Sequence, residues 1–464
     1  MNGAEKMRRE LMIQVVRDLA QGRLSDTIDR IPILLRPRNA PFSRCCVFHD
    51  RAVLRCRLMA LLGVRIEEED DELKPLSAWL SESNARGLKL EGPPLTVAGA
   101  GCSGCPDSRL VVTSSCRGCF ARPCLFNCPK GAISVEQQQS RIDYSRCVRC
   151  GRCEKVCPFN AIMRTVVPCE SACPVGAIAK NAEGVAEIDF DKCIFCGRCF
   201  RACPFGAIME RSQLVQVLQA LRRGEEMTAI VAPSAPLQFP GELGQLFSAV
   251  HRAGFADVME VALGAELTTA QESAEFLARM AAGEPFMTTS CCPAYVELAK
   301  RHIPALIPRI SETPSPMRFA ARLAREKHPK AKVVFIGPCI AKRHEALSSG
   351  EVDAVLTYEE LGALLAGLDI DVAGQSAWTL ARPAADSARG YAKSCGVSQA
   401  VLQCLQNSGK CPASFIVSAQ TIGGIDKKAV RTLRMFAGGQ MPGNFLEVMC
   451  CENGCAGGPC SLAK

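Results

Sequence analysis

The sequence predicts three parts in order: a mostly helical segment over residues 1–100, a small α+β module over 101–210, and a larger α/β domain over 211–464. Three observations carry that division. Apolar residues recur at helical spacing near the start, sixteen cysteines in repeated blocks crowd residues 102–203, and strand-like and helical runs alternate after residue 226.

In the first part, Leu11, Val15, Val16 and Leu19 share one helical face, as do Val53, Leu54, Leu58 and Leu61. The acidic run Glu67–Glu72 and the Gly92-Pro93-Pro94 step mark a solvated turn and a linker. Cys45, Cys46, His49 and Cys56 also lie here. Adjacent cysteines are awkward ligands for one metal, so buried thiols are expected.

Composition narrows the function class. The chain has 29 cysteines in 464 residues, too large for a disulfide scaffold. Its first 30 residues lack the unbroken apolar core of an export signal, and no apolar run approaches the roughly 20 residues of a membrane span. The expectation is a thiol-rich protein of the reducing cytoplasm, without a membrane, whose grouped cysteines hold metal or do catalysis. The net charge of +8 reads as a mild excess spread along the chain. No nucleic-acid motif accompanies it, and docking of an acidic electron carrier such as a ferredoxin is the simpler use.

The second part repeats one short unit. CVRCGRCEKVCPFNAI over 147–162 echoes CIFCGRCFRACPFGAI over 193–208; residues 116–133 lengthen the middle gap, and 169–178 keep only the second half. The run C-x2-C-x2-C-x3-C-P is the ferredoxin-like pattern in which three thiolates hold one [4Fe–4S] cube and the fourth crosses to a neighbour. A zinc ribbon would instead need two isolated C-x2-C knuckles. Crossed pairing assigns Cys116, Cys119, Cys124 and Cys157 to one cluster, and Cys128, Cys147, Cys150 and Cys153 to a second. Cys193, Cys196 and Cys199 need a fourth ligand, for which Cys173 is the candidate. Cys102, Cys105, Cys169 and Cys203 remain, so three clusters are expected and a fourth is arithmetically open.

In the third part a helix is expected over 211–223, then strands over 228–232, 257–261, 333–336, 354–357 and 415–418. Three cysteine motifs interrupt this pattern: Thr289-Ser290-Cys291-Cys292-Pro293, Gly337-Pro338-Cys339-Ile340-Ala341-Lys342, and Glu447-Val448-Met449-Cys450-Cys451 running on to Gly454-Cys455. Cys451 and Cys455 are four apart and would share a helix face. Cys292 and Cys339 adjoin prolines at strand ends or turns, where α/β folds gather ligands. Four thiols converging from three loops would build a buried cluster site. Cys395, Cys404 and Cys411 read instead as small core residues.

Together these motifs resemble those of the [FeFe] hydrogenases, from about Leu214 to Cys460, with a ferredoxin-like module upstream. The resemblance implies a two-lobed α/β catalytic domain that reversibly interconverts protons, electrons and H2 at an H-cluster. It implies that Cys292, Cys339, Cys451 and Cys455 hold the cluster's [4Fe–4S] part, with Cys455 bridging to a two-iron subsite installed by hydrogenase maturation proteins. It further implies that Cys291 shuttles the proton, Lys342 donates to a cyanide, and Met449 packs on the subsite. Glu272, Glu275 and Arg279, by themselves a surface ion-pair stripe, match the family's proton path, with Ser315 as the hydroxyl between them. Gly337 stands where well-studied members have methionine, Tyr295 where tryptophan is common, and Cys450 where a small residue is usual, while Cys460 has no counterpart. These differences resemble the group B subclass. Two other readings are an iron–sulfur assembly factor of the hydrogenase-like kind and a hydrogen sensor; Cys291, Lys342 and the acidic stripe favour catalysis over the first.

Overall fold

A computed structural model describes residues 3–41, 45–102, 105, 107–380, 382–408 and 416–462. Helix Gly3–Ala20 lies on helix Tyr358–Gly367 of the third part. The approach is close because residue 367 is glycine: a Cβ there would stand 2.4 Å from Val16 Cγ1. Arg8 and Arg9 both pair with the buried Glu359, tying the amino-terminal helix to the third part. Cys45 and Cys46 depart from expectation. They precede helix Val47–Leu61 at its surface end, so Cys45 is exposed and Cys46 half-buried; Cys56, inside the helix, is half-buried against the core.

The cysteine-rich part begins a few residues earlier than expected, at a strand within 1–100, and among the described residues it has eight short strands: β1 (Leu95–Val97), β2 (Arg109–Val112), β3 (Ile133–Glu136), β4 (Gln139–Ile142), β5 (Ile162–Thr165), β6 (Ile178–Lys180), β7 (Ala186–Ile188) and β8 (Ile208–Glu210). All pair antiparallel: β2 with β5 and β3 with β4, and likewise β1 with β8 and β6 with β7. This is one four-strand unit nested inside another. The inner unit, β2 to β5, is inserted between Cys105 and Cys169 of the outer one. That insertion explains why the repeat beginning at Cys169 lacks its first half: Cys102 and Cys105 are that half, about sixty residues upstream.

Each repeat ends in the same local structure. Cys128, Cys157, Cys173 and Cys203 are followed by proline, and each sulfur accepts the backbone N–H of the alanine four residues on, at 3.2–3.4 Å. The residue before that alanine has φ between +49° and +67°, which is why it is glycine in three repeats and Asn160 in the fourth. The charge also sorts by unit. Residues 107–166 carry ten basic and four acidic side chains, a net +6 of the chain's +8, so the excess is concentrated in the inner unit rather than spread.

The third part holds two parallel sheets. β9 (Met227–Val231), β10 (Asp257–Glu260), β12 (Lys332–Gly337) and β13 (Ala354–Thr357) form a sheet of order β10-β9-β12-β13. β11 (Met287–Thr288), β14 (Ala419–Gly423) and β15 (Phe445–Met449) form a second of order β11-β15-β14. Both faces of β9, β12 and β15 are covered, and their apolar runs are those of buried parallel strands. The last expected strand differs: Phe415 lies outside the described residues, as does Cys411, and the strand of that region is β14. Helix Val261–Ala281 crosses helix Pro316–Lys327 so closely that a Cβ on Gly264 would stand 2.2 Å from the Pro316 carbonyl oxygen. Among the described residues no helix is long and apolar enough to cross a membrane.

Candidate functional site

The cysteines of the nested units fall into four sets. Cys116, Cys119, Cys124 and Cys157 line one cavity, and Cys128, Cys147, Cys150 and Cys153 another. In the outer unit, burial pushes the Cys193 thiol up to about 12, with Cys196 and Cys173 adding to the rise; Cys199 is raised by burial and by Cys196, Cys193 and Cys173. Burial likewise raises Cys169 to about 12 and raises Cys105, in both cases with Cys203 and Cys102 as thiol neighbours. Nesting therefore brings Cys102, Cys105, Cys169 and Cys203 together as it does the other three sets. Among the described residues no group of His, Cys, Asp and Glu is drawn tightly enough to hold a single metal ion. Four thiols facing one another in a set suit a polynuclear cube.

The thiols of the third part gather at the carboxyl ends of strands from both sheets, the usual ligand edge of parallel sheets. Cys291 and Cys292 follow β11, with Cys292 capping helix Pro293–His302. Cys339 follows β12 and caps helix Ile340–Ser349, and Cys450 and Cys451 follow β15. Cys451 and Cys455 do not share an α-helix, as their spacing suggested. Asn453 (φ +63°) and Gly454 (φ +75°) are left-handed, so the chain turns tightly and ends in a 3₁₀ segment, Gly454–Gly457. The turn still delivers both thiols to one cavity, lined by Cys291, Cys292, Cys339, Cys451, Cys455, Lys342 and Met449 with largely apolar company. Burial and then Cys292 and Cys455 push the Cys339 thiol up to about 12. Neutral thiols crowded in an apolar cavity are the donor set a cationic cluster would convert to bound thiolates, so the residues fit such a group.

Two departures have local causes. Gly337 leaves room for Phe335, whose ring atoms would stand 2.6 Å from a Cβ there and which itself lines the cavity. Tyr295 is fully buried and donates to Thr288 Oγ1 at 2.8 Å. Lys342 Nζ faces the cavity but donates to Glu345 at 2.7 Å, a carboxylate the sequence reading did not include.

From this cavity a line of polar groups runs outward. Burial keeps the Cys291 thiol well above its ordinary value, with Glu272 its largest charged neighbour. Glu272 is fully buried and its carboxyl is pushed up to about 8, chiefly by burial. One of its oxygens accepts the Ser290 N–H at 3.3 Å, and the other has no hydrogen-bond partner among the described residues. Glu275, one turn on, accepts from Ser311 Oγ at 2.7 Å, Thr313 Oγ1 at 2.9 Å and the Glu312 N–H at 2.9 Å. Burial opposes its ionisation, but these donors and Arg279, 2.7 Å away, hold it below the ordinary carboxylate value. Arg279 also reaches the largely exposed Glu312.

The hydroxyl between the glutamates is therefore Ser311, not Ser315. Ser315 occupies the N-cap position of helix Pro316–Lys327, and its buried hydroxyl has no hydrogen-bond partner among the described residues. The signal that could have found Ser311 is the SET tripeptide 311–313, where two hydroxyl side chains flank one carboxylate.

A family model described as iron-only hydrogenase large subunit, C-terminal domain, matches residues 225–459, and a 4Fe-4S binding domain model matches 140–163 and 186–209. Iron hydrogenase 1 of Clostridium pasteurianum is 29% identical over 291 residues, covering 56% of this chain and 49% of that protein. The periplasmic [Fe] hydrogenase large subunit of Nitratidesulfovibrio vulgaris is 29% identical over 258 residues, covering 46% and 61%. The chain thus spans about half the length of the curated relatives it matches. A cytosolic Fe-S cluster assembly factor of Eremothecium gossypii is 32% identical over 136 residues, 28% of this chain and 29% of that one. An [FeFe]-hydrogenase structure from Chlamydomonas reinhardtii superposes with a TM-score of 0.45 at 21% identity, over 53% of this chain and 84% of that one.

Proposed function

The chain belongs to the iron-only hydrogenase large-subunit family, and from that premise we propose that it interconverts protons, electrons and H2 at an H-cluster. Cys292, Cys339, Cys451 and Cys455 would hold that group, Cys455 bridging to its two-iron subsite, with maturation proteins supplying the subsite. Bound there, the group supplies the electrons and the place where hydrogen forms or splits. The single observation that supports this reading is a free thiol, Cys291, that shares the cavity with those four and stands beside a buried carboxyl, Glu272.

The chain's own residues then manage protons. Cys291 stays protonated because burial disfavours its thiolate, so its Sγ holds a proton at the cavity wall. Glu272, titrating near 8, is protonated at neutral pH yet close enough to it to give and receive. Its unpartnered oxygen suits a carboxyl whose proton moves. Ser311 can rotate to pass a proton outward, and Glu275, ionised against Arg279, accepts it near the surface. Lys342 keeps a positive charge at the cavity, balanced by Glu345. Met449 packs on the same wall.

Electrons would arrive through four [4Fe–4S] clusters, one per cysteine set, from a ferredoxin or similar acidic carrier. The alternative, an assembly factor, is favoured by the similarity to the Eremothecium protein; the Cys291–Glu272–Ser311–Glu275–Arg279 line weighs against it, since assembly requires no proton path. Infrared spectroscopy of the matured protein tests the choice. Bands in the carbonyl and cyanide stretching region are expected, and their absence from fully matured, iron-loaded protein removes the hydrogenase reading.

A further inference from the structure

We propose that Cys45 and Cys46 form a reactive dithiol site, with His49 as its base, that closes to a disulfide by exchange with a low-molecular-weight disulfide. Neither the cluster sets nor the proton line uses these residues. Their arrangement is that of a nucleophile pair with an oriented base. His49 Nε2 lies 2.7 Å from the Ala100 carbonyl oxygen. A carbonyl only accepts, so Nε2 carries the ring proton and Nδ1 presents its lone pair. That lone pair is 3.2 Å from Cys45 Sγ, within reach of the one proton that Cys45 otherwise directs at Cys46. Cys45 Sγ is in turn 3.8 Å from Cys46 Sγ.

The two thiols are not equivalent. Cys46 occupies the N-cap of the fifteen-residue helix Val47–Leu61, where free N–H groups and the helix dipole favour an anion. Its thiol is held below the ordinary value, chiefly by the backbone N–H of His49, with Cys45 contributing; Cys45 is raised, chiefly by its hydrogen bond to Cys46. Cys46 is thus the attacking thiolate and Cys45 the resolving thiol. Cys45 is exposed, so a small disulfide can reach the pair.

The exchange balances without any other reagent. Cys46 Sγ attacks one sulfur of RSSR, forming a mixed disulfide and releasing RS⁻. His49 Nδ1 takes the Cys45 proton as Cys45 Sγ attacks Cys46 Sγ and releases the second RS⁻. One S–S bond breaks for each that forms; the protein pair loses two electrons and the small disulfide gains two, while one released thiolate takes the Cys45 proton from His49 and the other the proton that Cys46 had given to water on ionising.

The test uses anaerobic, cluster-loaded full chain. Limiting iodoacetamide followed by peptide mass spectrometry compares the Cys45–Cys46 peptide with that of Cys395, an exposed thiol with no histidine contact among the described residues. Alkylation at Cys46 about tenfold faster than at Cys395 is expected. Glutathione disulfide should lower the mass of the Cys45–Cys46 peptide by two hydrogens, and Cys46→Ser should abolish that loss. His49→Gln should slow closure about tenfold while leaving the helical circular dichroism intact. Alkylation no faster than at Cys395, or stable mixed disulfides without closure in the unaltered chain, overturns the proposal. So does closure at the unaltered rate in His49→Gln.

Discussion

The two nested four-strand units share one strand plan but differ in what surrounds them. Thiols of the outer unit, Cys102, Cys169, Cys173 and Cys193, are buried in a core that continues into the third part through Tyr295, Ile340, Val448 and Cys450. The inner unit has a small core of its own: Leu110, Cys124, Ile133, Cys153 and Ile162. It exposes Phe120, Phe126, Phe159, Val148 and Met163, leaves Cys150 at the surface, and carries the net +6 charge. One plan thus serves two physical tasks. A basic surface with exposed apolar side chains suits an acidic partner that docks and leaves, whereas a unit fused to the catalytic core suits fixed-distance relay.

Substitution of one cysteine in each unit gives the sharpest contrast, since it removes a whole cluster from one unit or the other. Cys196→Ser should cost about four irons per chain, and about 100-fold or more in hydrogen turnover with any electron donor, because its set adjoins the catalytic thiols. Cys150→Ser should cost the same iron but leave turnover with a small diffusible dye within about threefold, since the dye can reach the outer unit directly. Iron analysis and parallel assays with dye and protein carrier check this; equal losses with the dye would dissolve the distinction between the units.

The burial that fixes the outer unit continues at Glu272, where it governs protons. Glu275→Gln should lower turnover about 10²- to 10⁴-fold at unchanged iron content, and near-normal turnover would remove this route. Glu272 also sets a pH signature. Unfolded, its carboxyl releases its proton near the ordinary 4.5; folded, it keeps it to about 8. Between these values the folded state binds the extra proton, so stability falls as pH rises from about 4.5 to about 8, then levels. The full drop is on the order of a few kcal/mol. Glu272→Gln should flatten this fall in Tm measured across that window, and an unchanged slope would mean that the titrating group lies elsewhere.

A smaller effect tests the inner unit's surface. Arg149→Glu with Arg152→Glu should raise KM for an acidic carrier about tenfold at low ionic strength and weaken its salt dependence, leaving dye-driven turnover unchanged. Insensitivity of KM would move carrier docking off this unit.

Much of this was legible in sequence because ligand spacing is local. The crossed pairing of Cys116, Cys119 and Cys124 with Cys157 needs only the repeat, and the parallel strands announced themselves as apolar runs such as Val333–Ile336. What the sequence hid was non-local. Nesting separates Cys105 from Cys169 by an entire folded unit, so the fourth set looked like leftovers. Ser311 and Ser315 are four apart, and only the fold tells which donates to Glu275 and which sits at a helix N-cap. Spacing misled at Cys451 and Cys455 for another reason. Four residues imply a helix face only where φ stays negative, and Asn453 and Gly454 break that condition.

The finest test of the comparison is at the seam between the outer unit and the catalytic cavity. Cys450 contacts both sides: its backbone N–H donates to Cys292 Sγ at 3.4 Å, and its thiol meets Cys196, whose titration it lowers more than any other group does. A thiol donating to a cluster thiolate draws charge from it and raises the cluster's potential. Cys450→Ala deletes that donor but keeps the amide. The potential of the cluster held by Cys173, Cys193, Cys196 and Cys199 should therefore fall in an EPR-monitored redox titration, with iron content unchanged and turnover altered only about two- to threefold. A potential that rises or stays fixed would mean that the Cys450 thiol does not bear on that cluster, and that the two regions meet through packing alone.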